Sequence, residues 1–439
     1  MVGLLSLRPV KTAHSLSLWG VVTTAALQRF GYYGIRSILL LYLTTELRMS
    51  DQRAGQIYGI FYGSIFLTSL LGGLLGDTAL GHRFVASLGL SFVLAAHLSL
   101  AVGRVSVTFM ALILYSIGFG LFDPNLNAAV AEHYRLDKGL RDSAYTVLYS
   151  GINVGAMLGP LICGYIAVFI SWRYAFLAGG LVCLIALLLL RMSVQKHDLD
   201  KANPHSIVKI VSLEDEPNED ELTTPALRLF TILGVLALLA IIFWAVFDQL
   251  GSSITLLVQR HVNRNLGSFE IPAGYVQSIN PFLVIVLGPI LSFLIKRHSA
   301  VKHHRDAEFL LLGLILLGTG FGLLALGSAL AGNLGAQSSI SWIWILVTVL
   351  FATVGELLFA PKSFSVAAGL SPAKRRALIM GAWSGTFGIG AYLSGTMAGF
   401  MNRFARLSTF FAISALACWL TGLAFLVVMR AIRSRMMID

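Results

Sequence analysis

Gly76-Asp77-Thr78-Ala79-Leu80-Gly81-His82-Arg83 is a short polar step between two apolar runs, 54–77 before it and 84–102 after it. An apolar run of roughly 20 residues crosses a bilayer as a helix rising 1.5 Å per residue. Glycine lets the chain turn sharply between two such helices, so the octapeptide reads as a tight turn joining two membrane spans. Outward from it, runs of similar length lie near 17–44, 107–130, 144–169, 174–191, 225–257, 275–297, 308–330, 342–366, 376–399 and 407–430. The pattern predicts an all-α membrane protein with twelve transmembrane helices. Composition agrees, since 56% of the 439 residues are hydrophobic and 12% charged, with a mean hydropathy of +0.80. An ordinary soluble domain carries about 25% charged residues.

The net charge of +11 would suit nucleic acid only if gathered in one patch, and here the basic residues are scattered over helix ends. Their sidedness is informative. With the N-terminus inside, the inner segments collect basic residues from Arg8 and Lys11 through Arg83, Arg135 and Lys196 to Arg433 and Arg435. The outer loops hold only Arg48, Arg53, Arg104, Arg173, Arg260, Arg264, Arg403 and Arg406, and no lysine. This is the bias of the positive-inside rule and predicts both termini in the cytoplasm, with the chain in the cell (inner) membrane. Residues 1–16 show no cleavable signal pattern. Cys163, Cys183 and Cys418 all fall in spans and read as small buried hydrophobes.

Between 192 and 224 the pattern breaks into a polar stretch with the acidic run Glu214, Asp215, Glu216, Glu219, Asp220 and Glu221. It reads as a cytoplasmic linker joining two six-helix bundles, 1–191 and 225–439. This layout resembles the major facilitator transporters, whose substrate site lies between the halves near the midplane. The step at 76–83, reading G-D-x-x-x-G-x-R, is similar to the signature loop of that superfamily. The resemblance implies a gating role for Asp77 and Arg83.

Six ionisable residues lie within or at the ends of the spans: Arg29, Arg36, Asp77, Asp123, Asp248 and Glu356. A charge at membrane depth costs at least ~2.5–3.5 kcal/mol, so such groups face a protein interior or a wet cavity and mark function. On the first span, Arg29, Tyr32, Tyr33 and Arg36 recur at helical spacing and share one face. Ser116, Gly120, Asp123 and Asn127 form a polar stripe on the fourth span, and Trp244, Asp248 and Ser252 one on the seventh. These stripes point to a cavity lined by both bundles. Pro124, Pro160, Pro281, Pro289 and Pro361 interrupt spans and permit bends.

Five motifs resemble the proton-dependent oligopeptide transporter family. They are Gln28-Arg29-Phe30-Gly31-Tyr32-Tyr33-Gly34; the stretch from Asp142 through Tyr149 to Ile152-Asn153-Val154-Gly155; Phe243-Trp244-Ala245-Val246-Phe247-Asp248-Gln249; Gln277-Ser278-Ile279-Asn280-Pro281; and Gly355-Glu356-Leu357-Leu358-Phe359-Ala360-Pro361. The resemblance implies that Asn153, Asn280, Glu356 and Trp383 line the binding region, bridging helices or touching substrate beside Arg29, Tyr32, Tyr33, Arg36 and Asp248. Three departures fall on coupling groups. Ala25 and Gln28 stand where the family's E-x-x-E-R-F has glutamates, Asp123 stands in place of a lysine before Pro124-Asn125, and Asp248 replaces a glutamate. Phe66 stands where a tyrosine is common.

Two readings of Asp123 follow. In one, Asp123 and Asp248 meet as like charges when the bundles close, and proton coupling has moved from the first span to this pair. In the other, Asp123 is a structural acid neutralised by Arg29. His97 likewise reads as a packed, hydrogen-bonded histidine or a proton relay.

The resemblance implies a secondary active transporter, not an enzyme, that moves di- and tripeptides or peptide-like small molecules by alternating access. The three cavity acids suggest a bias toward cationic or modified peptides. A transporter of siderophore-like or drug-like molecules, not coupled to protons, is the competing reading. No metal or cofactor is expected, the proton being the coupling ion. The partners are the small-molecule substrate and the bilayer, with no nucleic acid and a monomeric state.

Overall fold

The structure, a computed structural model, describes residues 16–133, 138–193, 226–299, 306–333, 339–371 and 376–436. Most of the 192–224 linker and its acidic run lie outside the described residues, as do Arg8, Lys11 and Arg135. The first six helices are α1 (Leu16–Leu41), closed by a π-turn at Tyr42–Glu46, α2 (Asp51–Gly76), α3 (His82–Leu100), α4 (Val105–His133), α5 (Lys138–Phe169) and α6 (Trp172–Ser193). The remainder are α7 (Ala226–Phe247), α8 (Ser253–His261), α9 (Val276–Ser299), α10 (Asp306–Asn333), α11 (Trp342–Leu370), α12 (Arg376–Phe400) and α13 (Leu407–Met436). α7 and α8 together make the seventh span, which gives the twelve expected. A two-stranded hairpin, Asn265–Leu266 with Phe269–Glu270, caps the loop that follows it.

By length and hydropathy, 10 of these spans are apolar enough to cross a membrane. The other two are α1, which carries Arg29 and Arg36, and α12, which is rich in glycine, including Gly381, Gly385, Gly388, Gly390, Gly395 and Gly399. Both face the other bundle, where polar and small residues serve better than leucine. Toward the membrane the helices present Leu67, Leu181, Leu238, Phe293 and Leu420, all exposed.

Each bundle is built on the same pairings. In the first, α1 packs on α5 and α6, α4 on α2 and α3, and α3 on α6; in the second, α7 packs on α12 and α13, α11 on α9 and α10, and α10 on α13. The crossings repeat in detail. A Cβ at Gly89 on α3 would lie 2.5 Å from the Gly118 carbonyl oxygen on α4, and one at Gly313 on α10 would lie 2.8 Å from that of Gly355 on α11. Glycine is what allows these backbones to approach so closely. Between bundles, α2 packs along α12 and α5 along α9, the contacts a two-fold repeat would generate.

These seams are not uniform along their length. At the end carrying the α1–α2 loop, called the loop face, a Cβ at Gly59 would meet the Tyr392 carbonyl oxygen at 2.6 Å and one at Gly63 that of Gly388 at 2.9 Å. Toward the opposite end, called the terminal end, where α1 begins and α13 ends, Gly381 has only the end of the Leu70 side chain at 3.4 Å, and Gly385 has nothing within 4 Å. The α5–α9 seam is likewise joined toward the loop face, by Ser278 Oγ donating to the Met157 carbonyl at 2.7 Å, and beside it Phe169 at the end of α5 stacks on Phe269 of the hairpin at 5.3 Å. The bundles are closed at the loop face and parted at the terminal end of the α2–α12 seam.

Candidate functional site

The seventh span breaks where the site begins, although the sequence pattern suggested one continuous helix. α7 ends at Phe247, Asp248–Leu250 form a 3-10 turn, and α8 starts at Ser253. A broken helix inside a membrane leaves carbonyls unpaired, and these must find other donors. The Gly251 carbonyl receives the Tyr58 hydroxyl at 2.9 Å and the Gln277 amide at 3.1 Å. Residue 251 must be small, because a Cβ there would lie 2.8 Å from both Arg36 Nε and the Tyr58 hydroxyl. Ser252 turns from the cavity and bonds Ser394 Oγ on α12 at 2.7 Å.

Arg36 crosses from α1 to this break and donates to Asp248 Oδ1 at 2.6 Å, with the two side chains 14% and 17% exposed. Its guanidinium also lies 5.6 Å from the Tyr33 ring centre and 5.5 Å from that of Tyr62, a cation–π cradle that steadies the charge. Around the pair lies a cavity of about 180 Å³, lined by Tyr32, Tyr33, Arg36, Tyr58, Tyr62, Phe66, Trp244, Phe247, Asp248, Glu356, Phe387 and Ala391. Its aromatic wall is continuous: Trp244 stacks on Phe387 at 4.0 Å, and Phe387 on Phe66 at 5.6 Å. Glu356, from α11, accepts from Asn280 Nδ2 at 2.9 Å, and the same amide reaches Thr353 Oγ1 at 3.0 Å.

The second charge pair lies inside one bundle. Arg29 donates to Asp123 Oδ1 on α4 at 2.5 Å, and its guanidinium rests over the Phe119 ring at 4.7 Å. In this conformation Asp123 and Asp248 therefore meet different α1 arginines, and the like-charge contact expected on closure is not formed. The opposite charges on α1 are nearer to each acid than the acids are to one another.

Of the sequence-predicted substrate residues, the cavity brings together Tyr32, Tyr33, Arg36, Asp248 and Glu356, with Asn280 one bond behind Glu356. Arg29, Asn153 and Trp383 are outside its lining. Asn153 is buried and bonds the Tyr149 carbonyl one turn back at 2.9 Å. Asp77 and Arg83 do not pair with each other: Arg83 donates to the Arg191 carbonyl at 2.7 Å, and exposed Asp77 lies 3.7 Å from His82 Nε2. Their turn is tight as expected, with Gly81 at φ 76° and Asn125 of α4 holding both His82 Nδ1 (2.6 Å) and the Gly72 carbonyl (2.8 Å). His97 is buried, with Nδ1 on the Phe176 carbonyl at 3.1 Å. The three cysteines are free and buried.

Sequence reasoning missed Tyr58, Tyr62 and Phe387, although Tyr58 and Tyr62 sit one turn apart on a face shared with Phe66. It also missed a polar cluster at the loop face. There Arg260 of α8 holds Asp51 of α2 through two hydrogen bonds of 2.6 Å, Arg403 donates to Gln52 at 2.5 Å, and Asn402 also bonds Asp51.

The family model of the Major Facilitator Superfamily matches residues 21–325. Peptide transporter YePEPT of Yersinia enterocolitica is 25% identical over 96% of this chain and 95% of its own. Dipeptide and tripeptide permease A of Proteus mirabilis is 27% identical over 88% of this chain and 85% of its own. Among solved structures, peptide transporter POT in complex with sulfate superposes with a TM-score of 0.82 at 20% identity, covering 96% of both chains. A POT family transporter in complex with 5-aminolevulinic acid gives 0.81 at 19% identity, over 95% of this chain and 96% of the other. The architecture is thus shared along nearly the whole chain, as the five motifs suggested.

Proposed function

The chain belongs to the major facilitator superfamily, and from that premise we propose that it carries di- and tripeptides or peptide-like small molecules across the membrane by alternating access. The observation that carries this reading is the inter-bundle cavity, where Arg36–Asp248 ties the halves together beside Glu356. Relatives that are peptide transporters along nearly their whole length support it. The moving bodies are residues 1–191 and 225–439, with 192–224 as tether. The substrate set is Arg29, Tyr32, Tyr33, Arg36, Asn153, Asp248, Asn280, Glu356 and Trp383. Asp77 and Arg83 gate the terminal face. By the positive-inside bias this face is cytoplasmic, in the cell (inner) membrane, and one chain works as a monomer because it supplies the whole cavity.

Proton coupling is assigned to Asp248 and Asp123. Opening the loop face pulls the bundle bearing Asp248 away from Arg36, and a carboxylate deprived of its cation in a low-dielectric cavity is the group positioned to accept a proton. The test is uptake by liposomes with and without a pH gradient. Dipeptide uptake is expected, and its gradient dependence is expected to vanish in Asp248→Asn. Retained dependence in both Asp248→Asn and Asp123→Asn removes the coupling assignment. Thermal stabilisation by chelators or drug-like compounds and by no peptide would transfer the reading to a siderophore-like or drug-like cargo.

A further inference from the structure

The charges around the cavity do not cancel. Arg36 is engaged by Asp248 at 2.6 Å and Arg29 by Asp123 at 2.5 Å. Glu356 is hydrogen-bonded by Asn280, a neutral amide, at 2.9 Å, so one carboxyl group lines the cavity without a cation bonded to it among the described residues. Three lining residues carry a polar atom with no hydrogen-bond partner among the described residues: the Tyr62 hydroxyl and Trp244 Nε1, in residues 3% and 5% exposed, and Arg36 Nε, which is turned toward Gly251. An indole N–H can only donate, and a phenol can donate or accept. The vacant chemistry is therefore one carboxyl group bonded to no cation, together with donors that lack an acceptor.

Resting on the peptide-transport reading, we propose that this site selects carboxyl-capped peptide-like amines, which pair a protonated amine with a neutral carbonyl and carry no free carboxylate. The ammonium meets Glu356, and an amide carbonyl takes the Trp244 N–H and the Tyr62 hydroxyl. A free carboxylate would have to take Arg36 from Asp248, stranding that acid in a confined cavity where an unpaired charge is poorly tolerated. Specificity here is a difference between two affinities, set by a repulsive element as much as by an attractive one.

The test measures binding to the purified full-length protein, by titration and by ligand-induced rise in Tm. The probes are alanyl-alanine, its C-terminal amide, N-acetyl-alanyl-alanine amide and 4-(aminomethyl)benzamide. The dipeptide amide is expected to bind at least tenfold more tightly than the free dipeptide, and the acetylated amide at least tenfold more weakly than the amide. Glu356→Gln is expected to lose at least tenfold in amide affinity. Asp248→Asn, which frees Arg36 in the cavity lining, is expected to bring the free dipeptide within about threefold of the amide. The wild-type ratio decides the matter if that variant fails to fold. A free dipeptide that binds wild type as tightly as its amide overturns the proposal and leaves the peptide reading standing, as does undiminished amide binding by Glu356→Gln. Binding of the benzamide with neither dipeptide form keeps the charge rule and removes the peptide reading. If none of the amines binds, both fall.

Discussion

Arg29 and Arg36 stand two turns apart on one face of α1, and each meets an aspartate, yet the two pairs divide the molecule differently. Arg29–Asp123 joins α1 to α4 within one bundle, whereas Arg36–Asp248 joins α1 to the broken seventh span in the other. A pair within a rigid body keeps its geometry when the bodies rock, so it holds its bundle together throughout the cycle, whatever part Asp123 takes in coupling. A pair between bodies is made and broken with them, so it belongs to the cycle. The surroundings agree: Asp248 and Arg36 line the cavity, and the Arg29–Asp123 pair is outside its lining, with Phe119 under the guanidinium.

The sharpest way to break this comparison is to remove one acid from each pair and read both transport and stability. Asp248→Ala is expected to lower peptide uptake in liposomes about a hundredfold, which is roughly 2.7 kcal/mol of lost transition stabilisation, while the protein still folds. Equal loss of uptake in Asp123→Ala, with an unchanged Tm, would erase the distinction.

The expected signature of Asp123→Ala is thermodynamic. Removing one partner of a largely buried ion pair costs about 3–5 kcal/mol, and with Asp123 28% exposed the low end applies. A double variant, Arg29→Met with Asp123→Leu, replaces both charges by apolar groups and is expected to recover most of that loss. The readout is denaturation in detergent of the two single variants and the pair. A double variant no more stable than Asp123→Ala would mean that the pair is not simply structural.

Much of this was legible in the sequence, and the reason is periodicity. The face Arg29, Tyr32, Tyr33, Arg36 follows from helical spacing, and the cost of burying charge in lipid directs it inward, whatever the partner. The partners are another matter. Arg36 finds Asp248 across 212 positions of chain, and no local pattern encodes which of three acids it will meet. The break in the seventh span was hidden for a similar reason. Asp248-Gln249 and Gly251-Ser252-Ser253 interrupt the apolar run 241–257 but read as one polar helical face, and what divides the span is a tertiary event, the Tyr58 and Gln277 side chains supplying donors to the Gly251 carbonyl. The loop-face cluster escaped because Asp51 reads locally as an acid in the first turn of a helix, a sufficient explanation by itself.

The two ends of the α2–α12 seam allow a finer test. Gly63→Val would drive side-chain atoms into the Gly388 carbonyl, and overpacking of this kind costs about 1–3 kcal/mol. Its Tm is expected to fall by several degrees. Gly385→Val faces open space in this conformation and is expected to keep its Tm. If the terminal end of the seam must close in the opposite conformation, however, the added valine obstructs that closure, and uptake is expected to fall about tenfold. Uptake at the normal rate in Gly385→Val would mean that this end stays parted throughout the cycle.

The smallest effect belongs to the loop-face cluster. Arg260 and Asp51 are 30% and 18% exposed, and ion pairs near water contribute about 0–1 kcal/mol after screening and side-chain entropy. Asp51→Ala also removes the acceptor for Asn402, so the upper part of that range applies, a shift of up to about fivefold in the balance between closed and open loop face. Spin labels near the loop-face ends of α2 and α8 would report it as a second, longer distance. Raising salt in the wild type should reproduce part of the change, because exposed charges are screened within a Debye length of about 10 Å at 0.1 M and less above it. The Arg36–Asp248 contact, deeper in the protein, should respond little to the same salt. A salt response equal at both levels would show that the cavity pair is as wet as the surface one, and the ranking of the two as cycle and latch would have to be reversed.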